Sequence, residues 1–374
     1  MKKIISMLMI STMVMTGLVA CGDSKSESNN QSTANGQEKF KVGMMIDSGT
    51  IDDKSFNQGT WEGIKRYEDD HEGVSAQYVQ PAGEAKEDYL NAADNLIMAG
   101  NDIIVAPGFK FEEAISELAV SNPDIKFVIL DGQPKNMQDN TLSIYFTEQE
   151  AGFLAGIAAA LQSNTGKVGF IGGMQIPAVE RFGWGYVAGV AYANKTYGTS
   201  VEVVDYLYNG TFNDVQGGQA QAGGMYDKGI DIIFSAAAAV GNGVINEAKA
   251  RTESGEEVYV IGVDVDQYED GMMNSGKSVI LTSAIKRIDN AAYDALAAYA
   301  KGEFAGGQVI TMDAKSNGVG LPAENPNLSE DTMKKVDEAL NLIKEGTVVV
   351  PTSADELDAM LTDLEQSFPL INFK

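Results

Sequence analysis

The chain has very few of the side chains on which many catalytic and metal sites depend, because it contains one cysteine, Cys21, and one histidine, His71. A lone cysteine forms no internal disulfide, and one residue of each type cannot supply the usual Cys/His ligands of a zinc site. Ser-His-Asp and Cys-His catalysis are disfavoured for the same reason. We therefore expect no catalytic residues, no metal site and no cofactor.

Positive charge is also scarce, with 27 Lys+Arg against 53 Asp+Glu and a net charge of −26. A chain this acidic repels phosphate backbones, which argues against nucleic acid as a partner. The 374 residues are enough for two domains, and the 40 glycines fit a fold with many strand-to-helix turns.

One apolar run, Ile4–Val19, follows two lysines at the N-terminus. It is shorter than the roughly 20 residues that a membrane-spanning helix needs. A charged start, an apolar stretch and a small residue before a cleavage point predict a signal peptide over residues 1–20. The cysteine that follows, in Leu18-Val19-Ala20-Cys21, resembles a bacterial lipobox, in which the cysteine is diacylated and becomes the new N-terminus. Two acyl chains suffice for stable membrane anchoring.

Residues 21–39 are predicted to be the lipidated cysteine and a flexible tether. Gly22 to Glu38 contains Ser, Asn, Gln, Gly and Lys but no large apolar residue, so it cannot bury enough surface to fold. A lipid anchor at Cys21, a tether and an acidic globular body predict a protein held on the extracytoplasmic face of the cell membrane.

From Lys41 onward, short β-branched runs alternate with helix-like stretches, which predicts an α/β fold with parallel sheets. Four landmarks then recur at a nearly constant offset, which indicates two similar α/β lobes, although βαβ sequences resemble one another in general. The matches are Lys41-Val42-Gly43 with Lys167-Val168-Gly169 (offset 126), Gly63-Ile64 with Gly189-Val190 (126), Val74 with Val201 (127), and Gly100 with Gly229 (129).

Ligands of open α/β sheets bind beyond the carboxyl ends of the strands. Two facing lobes would therefore form a cleft that closes about a hinge. Two loops predicted to line it each place Phe-Asn after a hydroxyl residue, at Phe56 and Phe212. These rings could hold a flat ligand between them, or each could pack on its own helix as a hydrophobic staple. The residues alone do not decide between the two.

Three predicted strands end in charged side chains: Asp131 after Lys126–Leu130, Asp264 after Val258–Val263, and Lys286 after Val279–Ala284. Either carboxylate could accept ligand hydroxyls or cap the next turn. Lys286 could donate to ligand oxygens or be a solvated lysine. The segment Gly271–Ser278 fits the P-loop pattern but lacks the strand before it and the helix after it, so we reject ATP binding there.

Three separated motifs resemble the basic membrane protein lipoproteins, whose best-understood members are purine-nucleoside receptors of ABC importers. The resemblance runs from about Lys41 to the C-terminus. The motifs are Asp52-Asp53-Lys54-Ser55-Phe56-Asn57-Gln58, Glu150-Ala151-Gly152-Phe153-Leu154-Ala155-Gly156 and Ile261-Gly262-Val263-Asp264-Val265-Asp266-Gln267.

The resemblance implies a type I periplasmic-binding-protein fold, with two Rossmann-like lobes and three crossings between them. It places residues 40–147 and 285–312 in the N-terminal lobe, and residues 148–284 and 313–374 in the C-terminal lobe.

The resemblance also implies a ligand site. Phe56 and Phe212 match the phenylalanines that sandwich the base, Asp47 matches an acid of the first cleft loop, and Asp264 and Lys286 match the ribose-binding pair.

Two further residues, Asn57 and Asp131, lie within similar motifs and are also expected at the ligand. Ser48 and the alanines at 236–239 stand where the family pattern has Asn and glycines.

We therefore expect a monomeric, lipid-anchored solute-binding protein that delivers a nucleoside, foremost a purine nucleoside, to an ABC permease and catalyses no reaction. Three alternatives remain open at this stage. The ligand could be another ring-bearing molecule or a sugar. The acids at Asp52-Asp53 and Asp264-Asp266 could instead serve a nucleoside hydrolase. The protein could also be a surface adhesin.

Overall fold

The computed structural model describes residues 39–47 and 49–368. The predicted signal peptide, Cys21 and the predicted tether up to residue 38 lie outside the described residues, as does Ser48. The strands are β1 (Lys41–Met45), β2 (Ser75–Val79), β3 (Ile103–Pro107), β4 (Lys126–Leu130), β5 (Thr141–Phe146), β6 (Lys167–Gly172), β7 (Glu202–Tyr208), β8 (Ile232–Ala236), β9 (Tyr259–Asp264), β10 (Ile280–Lys286), β11 (Val309–Met312) and β12 (Val319–Gly320). The helices are α1 (Phe56–Asp70), α2 (Lys86–Met98), α3 (Glu112–Ser121), α4 (Glu148–Gln162), α5 (Pro177–Tyr197), α6 (Val215–Tyr226), α7 (Ala239–Glu253), α8 (Ile288–Ala300), α9 (Glu330–Lys344) and α10 (Ala354–Asp363).

Two six-stranded sheets organise the molecule. The sheet of the N-terminal lobe has the order β11-β5-β4-β3-β1-β2, and that of the C-terminal lobe has the order β12-β10-β9-β8-β6-β7. All pairings are parallel except the short one between β10 and β12. The first five strands of each sheet follow one order, so the sequence repeat corresponds to a structural repeat. The predicted α/β class is confirmed.

The central strands are buried on both faces, because helices cover each side of the parallel sheets. In β3, for example, Ile103 and Val105 pack into one apolar cluster, whereas Ile104 and Ala106 face another. These strands therefore consist of continuous apolar runs rather than an alternating pattern.

The chain passes between the sheets three times. It leaves β5 for α4, which packs against α5 and β10 of the C-terminal lobe. It returns after β10 through α8, which packs on α1, and β11 then pairs with β5. It crosses again to β12, α9 and α10. Lys286 ends β10 and Glu148 begins α4, so each lies at one of these crossings.

The α4–α5 contact brings two helix backbones together through glycines on both helices. A Cβ atom on Gly156 would lie 2.1 Å from the carbonyl oxygen of Tyr186, and one on Gly185 would lie 2.0 Å from that of Gln149. Only residues without a side chain allow this approach. The contact fixes the first turns of α5 against the start of α4.

Two further observations concern the P-loop-like segment and the helices. The segment Gly271–Ser278 leads into strand β10 rather than into a helix, as expected. Within residues 39–47 and 49–368, no helix is both long and apolar enough to span a membrane.

Candidate ligand-binding cleft

A cavity of about 640 Å³, measured out to its open mouth, lies between the lobes at the carboxyl ends of their strands. This is the position expected for a ligand of open parallel sheets. The structure brings all seven predicted residues to this cavity. Its lining includes Asp47, Phe56, Asn57, Asp131, Phe212, Asp264 and Lys286, together with Asp53, Gly108, Phe109, Ile176, Ala178, Val179, Phe182, Ala236, Ala237, Ala238 and Val263.

The first cleft loop is held in shape by Asp53, a buried residue that the sequence analysis considered only for the hydrolase alternative. Its carboxylate accepts hydrogen bonds from the backbone N–H groups of Ser55, Asn57 and Gln58, at 2.9, 3.0 and 3.1 Å. It thereby satisfies N–H groups at the start of α1 that have no partner within the helix. Burial outweighs these hydrogen bonds and raises the pKa of Asp53 to about 6.

Asn57 is also committed to this loop. Its Nδ2 donates to Asp53 at 3.0 Å, and its Oδ1 accepts a hydrogen bond from the backbone N–H of Asp47 at 3.1 Å. The amide therefore orients the segment that carries the Asp47 carboxylate into the cavity. Asn57 lines the cleft as predicted, and the contacts that the structure gives it hold the loop in place.

Phe56 and Phe212 enter the cavity from opposite lobes, and both rings are half-buried. Phe56 begins α1, whereas Phe212 lies in the loop between β7 and α6. Gly173 makes room for the second ring, because a Cβ atom there would lie 2.3 Å from a ring carbon of Phe212. The Phe212 carbonyl accepts a hydrogen bond from the Val240 N–H at 3.2 Å, which ties the loop to the start of α7.

The two strand-end acids share an unusual backbone conformation. Asp131 follows β4 with φ of 53°, and Asp264 ends β9 with φ of 66°. This left-handed region is unfavourable for residues with a Cβ atom, and strained residues cluster at functional sites. Both carboxylates are nearly buried and line the cavity, where Asp131 accepts a hydrogen bond from Lys286 and Asp264 accepts one from the Ser55 hydroxyl.

Lys286 is not a solvated lysine, because only 4% of its surface is exposed. Its Nζ donates to Asp131 Oδ2 and lies 3.6 Å from Asp264 Oδ1. The ammonium is also 4.6 Å from the centre of the Phe56 ring, within cation–π range. Burial alone would disfavour the charged form, but attraction to Asp131, Asp264 and Glu148 holds the pKa of Lys286 above its ordinary value.

Side-chain contacts join the lobes across the cleft. The Ser55 hydroxyl donates to Asp264 Oδ2 at 2.5 Å, and the Gln267 Nε2 donates to the Lys54 carbonyl at 2.8 Å. An ion pair of 2.8 Å links Lys54 with Asp270. The two lobes are therefore closed over the cavity, and Asp264 contacts both the N-terminal lobe and the junction at Lys286.

Several residues at the site carried no recognisable sequence signal. Phe109 lies in a short turn after β3, and Phe182 lies on α5 within a stretch of ordinary apolar helix. Glu148 and Arg181 sit behind the lining, where Arg181 Nε donates to Glu148 Oε2 at 2.7 Å. The position of Glu148 two residues before the Glu150–Gly156 motif is the only hint that could have drawn attention to it.

Comparison with protein families gives one match over most of the chain. The Bmp family model, described as "ABC transporter substrate-binding protein PnrA-like", matches residues 40–354.

Two relatives match nearly the whole chain. The "CD4+ T-cell-stimulating antigen" of Listeria innocua is 36% identical over 363 residues, which cover 94% of this chain and 99% of the relative. The "ABC transporter nucleoside-binding protein BmpA" of Lactococcus lactis is 33% identical over 363 residues, with the same shares covered.

A solved structure is also similar. A solute-binding protein of an ABC transporter system from Aeropyrum pernix superposes with a TM-score of 0.74 and is 27% identical. The match covers 87% of this chain and 97% of that one.

Proposed function

Because the chain belongs to the Bmp family of PnrA-like ABC transporter substrate-binding proteins, we propose that its cleft binds nucleosides, with purine nucleosides preferred. The family resemblance and the type I periplasmic-binding-protein fold expected from the motifs are both confirmed. Members of this family are solute-binding proteins rather than enzymes, and the family implies an ABC permease as partner. The nucleoside is supported by the Lactococcus lactis relative, whose name states that class of ligand.

The observation that carries the proposal is the pair of rings in one cavity between the lobes. Phe56 and Phe212 line it from opposite lobes, so a flat ligand held between the lobes would meet an aromatic ring on each side. Base–aromatic stacking contributes about 1–3 kcal/mol for each base. This arrangement favours the sandwich over the staple for both phenylalanines.

The polar end of the cavity suits the sugar of a nucleoside. Carboxylates of Asp131 and Asp264 accept hydrogen bonds from hydroxyls, and the Lys286 ammonium donates to hydroxyl oxygens. Asp47 lies on the first cleft loop and provides a carboxylate for the edge of the base, and Asn57, at the start of α1, holds that loop in place. With this many carboxylates on the lining, the cleft favours a neutral nucleoside over a nucleotide.

The attachment to the cell envelope is part of the proposal. Cys21 carries the lipid, residues 22–39 form the tether, and the folded body faces outward, where it receives the nucleoside and passes it to the permease. The sequence motif at residues 18–21 supports this arrangement.

Thermal unfolding of the purified protein with a panel of compounds tests the ligand class. The panel holds purine and pyrimidine nucleosides, free bases, ribose and amino acids. A ligand that binds only the folded protein adds about 2.7 kcal/mol of stability at a hundredfold excess over its Kd. We expect purine nucleosides to give the largest shift, pyrimidine nucleosides a smaller one, and the amino acids none.

A shift with ribose or another sugar alone would contradict the nucleoside proposal and favour a sugar-binding protein. Chromatography of the same incubations separates binding from cleavage, because release of free base would indicate a hydrolase. No shift with any compound would contradict the proposed ligand class while leaving the family assignment intact.

A further inference from the structure

A buried charge cluster lies at the junction of the lobes and extends beyond the cavity wall. Lys286, Asp131 and Asp264 face the cavity, whereas Glu148 and Arg181 are absent from its lining. The Glu148 side chain is completely buried, and that of Arg181 is 21% exposed. The function proposed above gives these two residues no role, although burying charged groups is costly.

The two oxygens of Glu148 have different surroundings. Oε2 accepts the hydrogen bond from Arg181 at 2.7 Å. Oε1 is buried without a hydrogen-bond partner and lies 3.8 Å from Lys286 Nζ. That distance is too long for a hydrogen bond, yet opposite charges attract strongly at this range in a buried site. Glu148 therefore draws the ammonium toward the junction and away from the cavity without fixing it there.

The fold fixes the pair from both sides. Glu148 is the first residue of α4, directly after the first crossing, and Lys286 is the last residue of β10, directly before the second. Arg181 is held by the close α4–α5 contact, since a Cβ atom on Gly152 would lie 2.3 Å from the Phe182 carbonyl oxygen. Arg181 and Glu148 therefore hold fixed positions next to Lys286, whose ammonium donates a hydrogen bond to Asp131.

We propose that Glu148 and Arg181 are positioning residues, and that the charge on Glu148 determines whether the Lys286 ammonium is drawn toward the junction or directed at the ligand. This inference rests on the proposed function, in which Lys286 donates to the ligand's hydroxyl oxygens. It adds a regulated property, affinity that depends on pH, to a site whose ligand is neutral.

The direction of the pH dependence follows from the charges around Glu148. Burial and the nearby negative charge of Asp131 raise the pKa of Glu148 to about 7, against the attraction of Lys286 and Arg181. The charged and titratable groups around the cluster are Asp131 at the end of β4, Tyr145 on β5, Arg181 on α5, Asp264 at the end of β9 and Lys286 at the end of β10.

Asp131 belongs to the N-terminal lobe, whereas Glu148 and Arg181 lie on α4 and α5 and Lys286 ends β10 in the sheet of the C-terminal lobe. Closure therefore brings Asp131 toward Glu148, and the added repulsion between the two carboxylates favours the proton on Glu148. Glu148 then has a higher pKa in the closed state than in the open one. A raised pKa stabilises the closed state at low pH, and this stabilisation is lost as the pH rises through that pKa. Ligand affinity should therefore fall as the pH rises through about 7.

The first experiment needs no ligand. In protein with ¹³C-labelled lysine, the Lys286 Cε resonance, assigned with the Lys286→Met variant, is followed from about pH 5.5 to pH 9. We expect a titration with a midpoint at or below about 7 in the unmodified protein, because the lobes can open without ligand, and no titration in Glu148→Gln. Arg181→Met should move the midpoint upward, because Glu148 loses a cationic partner. A flat resonance in the unmodified protein, or the same titration in Glu148→Gln, would overturn the proposal.

The second experiment measures nucleoside affinity by calorimetry over the same range. If the complex, with Glu148 titrating near 7, holds the proton one pKa unit more strongly than the free protein, affinity falls about fivefold between pH 6 and pH 9. Glu148→Gln should bind with an affinity that hardly depends on pH. The matched control is Glu150→Gln, on the same turn of α4, where the carboxylate bonds to Thr147 and Ala314 outside the cluster. It should keep the pH dependence of the unmodified protein.

The two proposals fail in different ways. If no nucleoside binds but the Lys286 resonance follows Glu148, the ligand class is wrong and the positioning role stands. If nucleosides bind with the same pH profile in Glu148→Gln, the positioning role is wrong and the ligand class stands.

Discussion

Replacing Lys286 with methionine tests the electrostatic account of the junction directly. The change keeps most of the apolar stem of the side chain and removes its charge. Arg181 is then the remaining cation of the cluster beside three carboxyl groups, those of Asp131, Asp264 and Glu148. Removing one partner of a buried ion pair destabilises proteins by about 3–5 kcal/mol, because the other charge stays buried without compensation. Since Lys286 is 4% exposed and faces three carboxylates, we expect Lys286→Met to lower the free energy of unfolding by an amount in that range at neutral pH.

The loss should depend on pH in a definite direction. Burial already raises the pKa of Glu148 to about 7 and that of Asp264 above its ordinary value, and removing the lysine raises both further. Carboxyl groups with a raised pKa in the folded protein can take up protons at low pH, which relieves the repulsion. The destabilisation by Lys286→Met should therefore be smaller near pH 5.5 than near pH 8.

Urea unfolding followed by circular dichroism at these two pH values measures the effect. Lys54→Met is the matched control, because Lys54 also forms an ion pair between the lobes, with Asp270, but its side chain is 44% exposed. Exposed pairs contribute about 0–1 kcal/mol, so the control should lose little at either pH. A loss in Lys286→Met no greater than in the control, or one that grows as the pH falls, would refute the account.

Two further predictions concern the cleft and the helix pair behind it. Phe212→Leu keeps an apolar side chain but removes the aromatic face, so nucleoside affinity should fall about 5- to 150-fold, for a stacking contribution of about 1–3 kcal/mol, with little change in Tm. A lower Tm with unchanged affinity would instead identify Phe212 as a staple. Gly156→Ala places a Cβ atom 2.1 Å from the Tyr186 carbonyl oxygen, so α4 and α5 must separate. The free energy of unfolding should fall by about 1–3 kcal/mol, and an unchanged urea midpoint would show that this contact is looser than described.

The position of the polar cleft residues could be predicted from the sequence because strand ends are local features. A β-branched run followed by an acid or a lysine marks the carboxyl end of a buried strand, and parallel sheets bring such ends to one edge. Asp131, Asp264 and Lys286 all follow such runs, and the structure places all three around one cavity. The α/β fold was predictable for the same reason, since it depends on patterns along the chain.

Other residues at the site could not be predicted, because their position depends on packing between distant segments. Asp52 and Asp53 are adjacent acids, yet only Asp53 is buried, and only the turn into α1 distinguishes them. Phe182 looks like any apolar residue of a helix until the glycine contacts of α5 orient it. In the sequence Arg181 has the character of a surface residue, and only the structure shows that it donates to Glu148.

The three crossings have a consequence for the order in which the protein is made. The N-terminal lobe obtains its last strand, β11, only after the chain has built five strands of the other lobe, and Ser143 of β5 pairs with Val309. A chain that leaves the ribosome N-terminus first can assemble β1 to β5 early, but β5 stays an open edge until residues 309–312 are synthesised. Unpaired edges are sites of mispairing, and contacts between distant segments form slowly. Neither lobe corresponds to a contiguous fragment, so a chain that stops before residue 309 lacks the strand that covers this edge.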